Sequence, residues 1–439
     1  MRYPVRAAAA ALAASALASA LASAPVGAQQ GTPPPAPPAI PELPPFAAEL
    51  ERQIPQPALP KPNAFDAYVA AGAAVRRTEW DYGRLLQRAR SGRKPSPDER
   101  EIRAAAADAG PLLNAARAGF AHPYAAPPAR TFDQLFAYYP DFRNVARAFA
   151  VQAFARRRAG DAPGAVRSSL DAVRMGTDVC RGVPVLGRLV GIGIQTIGRH
   201  EAWEAVPALG AEEAAKAAAR MEALFRRQPT FAETMAEERW YNVSGLIALW
   251  RDPELRRTWQ DRDADRVFRD VVALYDARVT AARFPYRYGK GVPGTQLPPG
   301  SPARGIPFLQ EISSPSEETA FGQLHFKSCL NDAQNALLTA ALGVRAYQAR
   351  FGRLPDSLDA VAAADCLRAV PADPFSSDGR APLCYRPSGA GRYVLYSVGP
   401  DGADDGGRPM RDEHAHNGAR RTLPTPEGRG DIVAGVNGY

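Results

Sequence analysis

Between Glu317 and Phe351 the apolar side chains recur three and four residues apart: Phe321, Leu324, Leu330, Ala333, Leu337, Ala340, Ala341, Val344, Tyr347 and Phe351. That period draws one continuous apolar face along a single long helix. Ser314-Pro315-Ser316-Glu317 supplies its start, with a capping box and proline at the first helical position. Gly352 fits its C-terminal cap, and Leu354-Pro355 enforces the exit. A helix with one apolar face has to be covered, and the residues after Pro355 supply a cover.

Asp356 to Ala364 reads as a short helix, and Pro371-Ala372-Asp373-Pro374 as a rigid turn. Leu383 to Arg386 and Tyr393 to Ser397 alternate like paired strands joined by Ser388-Gly389-Ala390-Gly391. A small sheet with one apolar face and a helix with one apolar stripe bury each other. Asp401, Asp404 and Asp405 then crowd a glycine-rich loop, with Asp431 further on. Carboxylates on flexible backbone make an oxygen-rich cage suited to Ca²⁺; the alternative is an acidic turn held by Asp–backbone hydrogen bonds. The alternating acidic spacing and terminal Glu of an EF-hand are missing.

The landmarks in order are YQARFGRLP (Tyr347 to Pro355), Asp373-Pro374-Phe375, RYVLYSVGPDGADDGG (Arg392 to Gly407) and Gly430-Asp431-Ile432. This order resembles the C-terminal globular domain of the type II secretion major pseudopilins, the GspG-like family, over Asn335 to Val433. The resemblance implies a long helix packed on a small antiparallel sheet. It also implies calcium in the acidic loop, held by Asp401, Asp404, Asp405 and Asp431, with Asp431 returning beside the others. Arg408 to Glu427 stands as an insertion rich in Arg, Pro and His. Here the long helix is internal and carries His325, Lys327, Asn331 and Asp332, so the module reads as a surface domain appended to a helical one.

At the other end, Arg2 and Arg6 precede the Ala/Leu run Ala7 to Ala24, and Val26-Gly27-Ala28 offers small residues at a cleavage site. Residues 1–28 therefore read as a signal peptide, with an uncleaved anchor as the alternative. No lipobox cysteine follows, and no later apolar run is of spanning length. The expected location is periplasmic or extracellular, with no membrane span after cleavage. Without Arg2 and Arg6 the formal charge falls from +8 to +6, and the basic residues are scattered as on a solvated helix surface, which argues against nucleic acid. Residues 29–62 form a Pro-rich linker; Gly31 to Pro62 carries twelve prolines, favouring extended backbone.

Export favours disulfides among Cys180, Cys329, Cys366 and Cys384. Cys366–Cys384 would close the loop around the Asp373-Pro374 turn, and Cys180–Cys329 would tie the helical part to the long helix. Four cysteines allow three connectivities, so this pairing is a preference. There is no CxxC, and the spacing suits no zinc site.

Residues 63–310 read as an α-helical domain rich in Ala, Leu and Arg. Thr131 to Ala159 looks like a helix pair broken at Tyr139-Pro140, and Asp161-Ala162-Pro163-Gly164 turns into a return helix. That hairpin is weakly tetratricopeptide-like but has no second copy at the expected period. Gly182 to Gly198 (GVPVLGRLVGIGIQTIG) reads as a buried helix whose Gly187, Gly191 and Gly193 admit a neighbouring backbone. Pro285 to Pro307 is an interdomain loop, with a glycan or peptide groove as the sharper alternative.

Enzyme signatures are weak. His200-Glu201 is followed by Glu204 where HExxH needs His, so it reads as a helix-surface pair. His414-Ala415-His416 with Asp412 and Glu413 reads as a solvated loop. No GxSxG, P-loop or GxGxxG is present. The expectation is a mostly α, two-domain chain: a helical domain, then a pseudopilin-like α+β domain over 315–439. Its expected role is non-catalytic, an envelope binding or structural protein with an envelope or secretion-machinery partner. The alternative is a secreted hydrolase with its site in the helical domain. Oligomeric state is left open.

Overall fold

The computed structural model describes residues 42–91, 97–134, 136–259, 262–289, 295–306, 309, 315–389, 391–410 and 424–436, with side chains 315–320 excepted. The expected signal peptide at 1–28, Ser314 with the side chains of the expected capping box, and the loop bearing His414 and His416 lie outside that description; the expected proline at the first helical position, Pro315, is the first residue of the long helix. The described chain is mostly helical and carries one three-stranded antiparallel sheet, in the order β1-β2-β3.

The first helix falls where a linker was expected. Pro45–Gln53 is helical (α1), with Pro45 in the first turn, where its missing N–H breaks no bond. Ala47 and Leu50 are buried, and the Phe46 N–H donates to Asp265 Oδ1 at 2.9 Å. The proline count hid this element because the apolar pair inside it spans only one turn.

α2 (Ala64–Val75), α3 (Tyr82–Ser91) and α4 (Glu99–Gly119) pack around α5 (Tyr139–Arg158). The expected break at Tyr139-Pro140 is the start of α5, not the middle of a helix pair. Proline takes the first turn, and 136–138 precede the helix as a turn. α5 and α6 (Ala162–Val179) form the expected hairpin. Gly160 takes a positive φ at the corner, and the Asp161 carboxylate caps α6 by accepting from the Gly164 N–H at 2.8 Å.

α7 (Val185–Ala205) lies against α6 at very close range. A Cβ on Gly191 would meet the Cys180 Sγ and would stand 2.6 Å from the Gly176 carbonyl oxygen; one on Gly198 would stand 2.7 Å from that of Ser169. Gly193 faces open space. The close approach is therefore carried by Gly176, Gly191 and Gly198, whereas a Cβ on Gly187, also expected there, would meet the Tyr139 hydroxyl and the Val183 side chain. Gly193, expected among them, points away.

α8 (Ala211–Arg226) is followed by α9 (Phe231–Arg251), whose Thr230/Glu233 capping box fixes its start. α9 packs on α10 (Ala264–Ala281), and α1 lies against both. The long helix is α11 (Pro315–Phe351), 37 residues, ended by Gly352 at φ 68° as the sequence predicts. It is followed by α12 (Leu358–Ala363) and the strands β1 (Cys384–Pro387), β2 (Tyr393–Ser397) and β3 (Ile432–Val433).

α11 packs on β2, as expected for a helix with a sheet as its cover, but its most extensive neighbour is α8. One continuous core runs from Leu170 and Val173 of α6, through Met221 of α8 and Leu337 and Leu342 of α11, to Phe375, Leu395 and Ile432. This core holds residues from both sides of the expected boundary near 310. Two further cores lie under α2–α7 and around α9–α10. Among the described residues no helix is long and apolar enough to cross a membrane.

Candidate functional site

Asp373 is the hub of the C-terminal module. It is buried, and its carboxylate accepts from the Phe375 N–H at 2.9 Å, the Ser397 hydroxyl at 2.7 Å and the Val398 N–H at 2.8 Å. Burial pushes its pKa up, and these three donors oppose the shift. The turn at Asp373-Pro374-Phe375 is thereby tied to the end of β2, where the acidic loop begins.

That loop closes as expected. Met410 N–H donates to the Asp431 carbonyl at 3.0 Å, and Asp431 N–H donates to the Arg408 carbonyl at 2.8 Å, so Asp431 returns beside Asp405 to Arg408. The four expected calcium ligands lie at one end of the sheet, and each carboxylate has a partner in the loop, in its return or in β2. Asp401 accepts from Ala403 N–H at 3.2 Å and Gly430 N–H at 3.4 Å. Asp404 accepts from the Tyr396 hydroxyl at 2.8 Å and Gly406 N–H at 2.9 Å. Asp405 is paired with Arg408. Asp431 is buried and accepts from Gly407 N–H at 2.7 Å and Asp405 N–H at 3.4 Å. Burial first, then repulsion from Asp404 and Asp405, raises Asp431 to about 6. The Arg287 side chain lies against Gly402, bringing a cation from the helical region to the loop. Among the described residues no three His, Cys, Asp or Glu side chains are grouped to hold a metal ion. As arranged, these carboxylates accept N–H and O–H donors or pair with Arg408.

The four cysteines are free thiols in the structure, with neither expected pair bonded. Cys180 is buried with its Sγ 3.7 Å from the Gln195 amide nitrogen, and burial pushes its thiol up to about 11. Cys366 lies behind α12, whereas Cys384 stands opposite Tyr396 in the sheet.

The interdomain loop is seated rather than open at its start. Tyr286 is buried, its ring 5.4 Å from Phe375 and 6.0 Å from Phe326. The aromatic positions expected to line a groove therefore include one that is core; residues 290–294 lie outside the described chain. The His200-Glu201 pair also differs from expectation. Glu201 is fully buried and bridges Arg90 of α3, at 2.8 Å, and Arg157 of α5, at 3.2 Å. Its carboxylate joins three helices.

Two arginines escaped the sequence reading altogether. Arg188 of α7 is buried and donates to Ser328 of α11 at 2.9 Å and to the Pro229 carbonyl at 2.8 Å. Arg199, three turns further along the same face of α7, is fully buried and donates to Asn331 at 2.7 Å, Asn335 at 2.8 Å and Gln334 at 2.7 Å, all on α11. The amides of Asn331 and Asn335 turn back to Gln195 Oε1 at 3.1 and 2.9 Å. The signal was present as Asn331, Asp332 and Asn335 inside an otherwise apolar helix; nothing in the sequence named the arginines that answer them.

Compared with family models, with curated proteins and with solved structures, the chain finds no match.

Proposed function

We propose that the chain is an exported bacterial envelope protein with a non-catalytic binding or structural role, and that residues 315–439 are a pseudopilin-like module. The observation that carries this reading is the convergence at Asp373. Of the motifs behind the resemblance, the Asp373-Pro374-Phe375 turn, the SVGPDG turn and the Gly430-Asp431-Ile432 segment are joined by hydrogen bonds at one end of the sheet. Short motifs scattered by chance through a chain have no reason to bond to one another. The module rests on α8 as well as on its own sheet, which favours a fixed structural element over a tethered one. The envelope or secretion-machinery partner belongs to the same proposal.

Export is tested by fusing residues 1–62 to a reporter enzyme that is active only outside the cytoplasm. An active fusion supports the reading, and a cytoplasmic, inactive one overturns it. Calcium enters the proposal through the charge of the loop alone, since Asp404 and Asp405 both raise Asp431. Binding would need carboxylates released from backbone N–H groups. Thermal unfolding with Ca²⁺ and with chelator, repeated on Asp404→Ala/Asp405→Ala, decides it. A calcium-dependent rise lost in the variant supports a metal site; equal midpoints leave the acidic turn.

A further inference from the structure

A cleft of about 440 Å³ opens between α3, α5 and α7. Its apolar lining is Leu86 of α3, which is buried, and Ile197 of α7, which is half-buried. Gln87 of α3 lines it too and is exposed. The volume lies within the range of small-ligand sites.

Two arginines give the cleft its charge, Arg90 of α3 and Arg147 of α5. Arg147 lies along α3. A Cβ on Gly83 would stand 3.1 Å from its Cδ, 3.2 Å from its Nε and 3.4 Å from its Cζ, so the missing side chain at 83 is what lets the guanidinium settle there. Its Nη1 donates to Asn144 Oδ1 at 2.7 Å, a neutral acceptor, and no carboxylate pairs with it among the described residues. Arg90 spends Nε and Nη2 on Glu201 Oε1, at 3.0 and 2.8 Å. Glu201 also pairs with Arg157, so two arginines share one carboxylate and leave one positive charge, to which Arg147 adds a second. Among the described residues that line the cleft there is no Asp or Glu. Both guanidinium groups are thus held in place by partners that leave their charge in excess. Groups positioned before a ligand arrives reduce the ordering cost of binding it.

We propose that this cleft binds a small organic oxyanion, a carboxylate or phosphate group on a short apolar body. Arg147 and Arg90 take the oxygens from two walls, since the planar guanidinium fork matches the paired oxygens of either group. Leu86 and Ile197 receive the body. A bare inorganic anion would satisfy the arginines and leave the apolar lining uncovered. The inference concerns this cleft alone and stands or falls apart from the export proposal.

The test is a calorimetric titration of the full chain with benzoate, phenyl phosphate, inorganic phosphate and benzamide, the last having the shape of benzoate without its charge. Benzoate and phenyl phosphate are expected to bind saturably, and the tighter of the two assigns the ligand as carboxylate or phosphate. Benzamide is expected to bind about tenfold or more weakly than benzoate, and inorganic phosphate likewise against phenyl phosphate. Arg147→Gln, which breaks no ion pair, is expected to weaken the organic anions about tenfold or more. Gln87→Phe, at an exposed position, fills the cleft while leaving both charges in place and is expected to do the same, so a folding defect in one variant leaves the other informative. Arg84→Gln, on the same helix with its side chain 78% exposed and outside the cleft, is expected to leave the affinity unchanged. The proposal is overturned if neither organic anion binds, if benzamide matches benzoate, or if inorganic phosphate matches phenyl phosphate. It is also overturned if Arg147→Gln and Gln87→Phe both leave the affinity as it was, or if Arg84→Gln weakens binding as much as Arg147→Gln, which would mark a response to net charge alone.

Discussion

At the scale of single residues, the molecule holds polar groups where burial works against them. Asp332, on α11, has an Oδ1 that is buried without a hydrogen-bond donor among the described residues, and burial raises its carboxyl to about 6 despite Arg188 and Arg199 nearby. A carboxyl raised from the ordinary value near 4 favours the folded state most when protonated. Its contribution is complete below pH ~4 and is lost as pH rises through about 6. Asp332→Asn, permanently neutral, should therefore gain stability relative to the natural chain across that window and by a constant amount above it. Urea midpoints of both proteins from pH 4 to pH 8 measure this; parallel curves would contradict it. Asp365→Gly makes a second prediction. Relief of the left-handed corner there, at φ 56°, should raise stability by about 1 kcal/mol. Urea unfolding of the variant measures it, and an unchanged or lowered midpoint would contradict it.

At the scale of elements, α7 offers a matched pair of substitutions. Gly191→Ala drives a methyl into the Cys180 Sγ and the Gly176 carbonyl and should cost about 3 kcal/mol or more, because backbone cannot yield as a side-chain tip can. Gly193→Ala, two residues on and facing open space, should stabilise by about 1 kcal/mol through helix propensity. Chemical unfolding of the two variants tests both signs. The contrast also marks how far the sequence could be read. The helix and its glycine-mediated packing were legible in GVPVLGRLVGIGIQTIG, but which glycines touch the neighbour depends on the face presented to α6. That face is chosen by α6, not by α7. The same limit applies to the site. The period of α11 and its glycine stop could be read from spacing, and the return of Asp431 only from the resemblance. The inward turn of the carboxylates could not, because it depends on which N–H groups the loop leaves unpaired. α1 was missed because proline composition speaks for extended chain, and only the partner Asp265 shows otherwise.

At the scale of the whole molecule, the two expected domains share a core. Residues from α6, α8, α11 and the sheet form one buried cluster, and Arg199 crosses it to α11. A fragment ending at residue 310 would expose α8 and strand Arg199 without its asparagine partners. Such a fragment should lose its cooperative unfolding transition, whereas the full chain should unfold with the tryptophans of α9 and the far-ultraviolet helix signal changing together. Separate transitions in the full chain, or a cooperative fragment, would restore two independent domains. Core sharing of this kind could not be read from composition, since the Pro- and Gly-rich stretch before α11 has the look of a boundary.

The seating of α1 carries a consequence in time. Phe46 bonds to Asp265, a residue 219 positions later. A ribosome delivers α1 long before its dock, with 219 positions of chain between the two bonded residues. α1 must therefore wait, unfolded or borrowed by another surface, while the helices between it and its dock assemble without it. Contacts of such long separation slow folding. A helper that holds the leading end, or a route that postpones folding until the chain is complete, would find its handle at these residues.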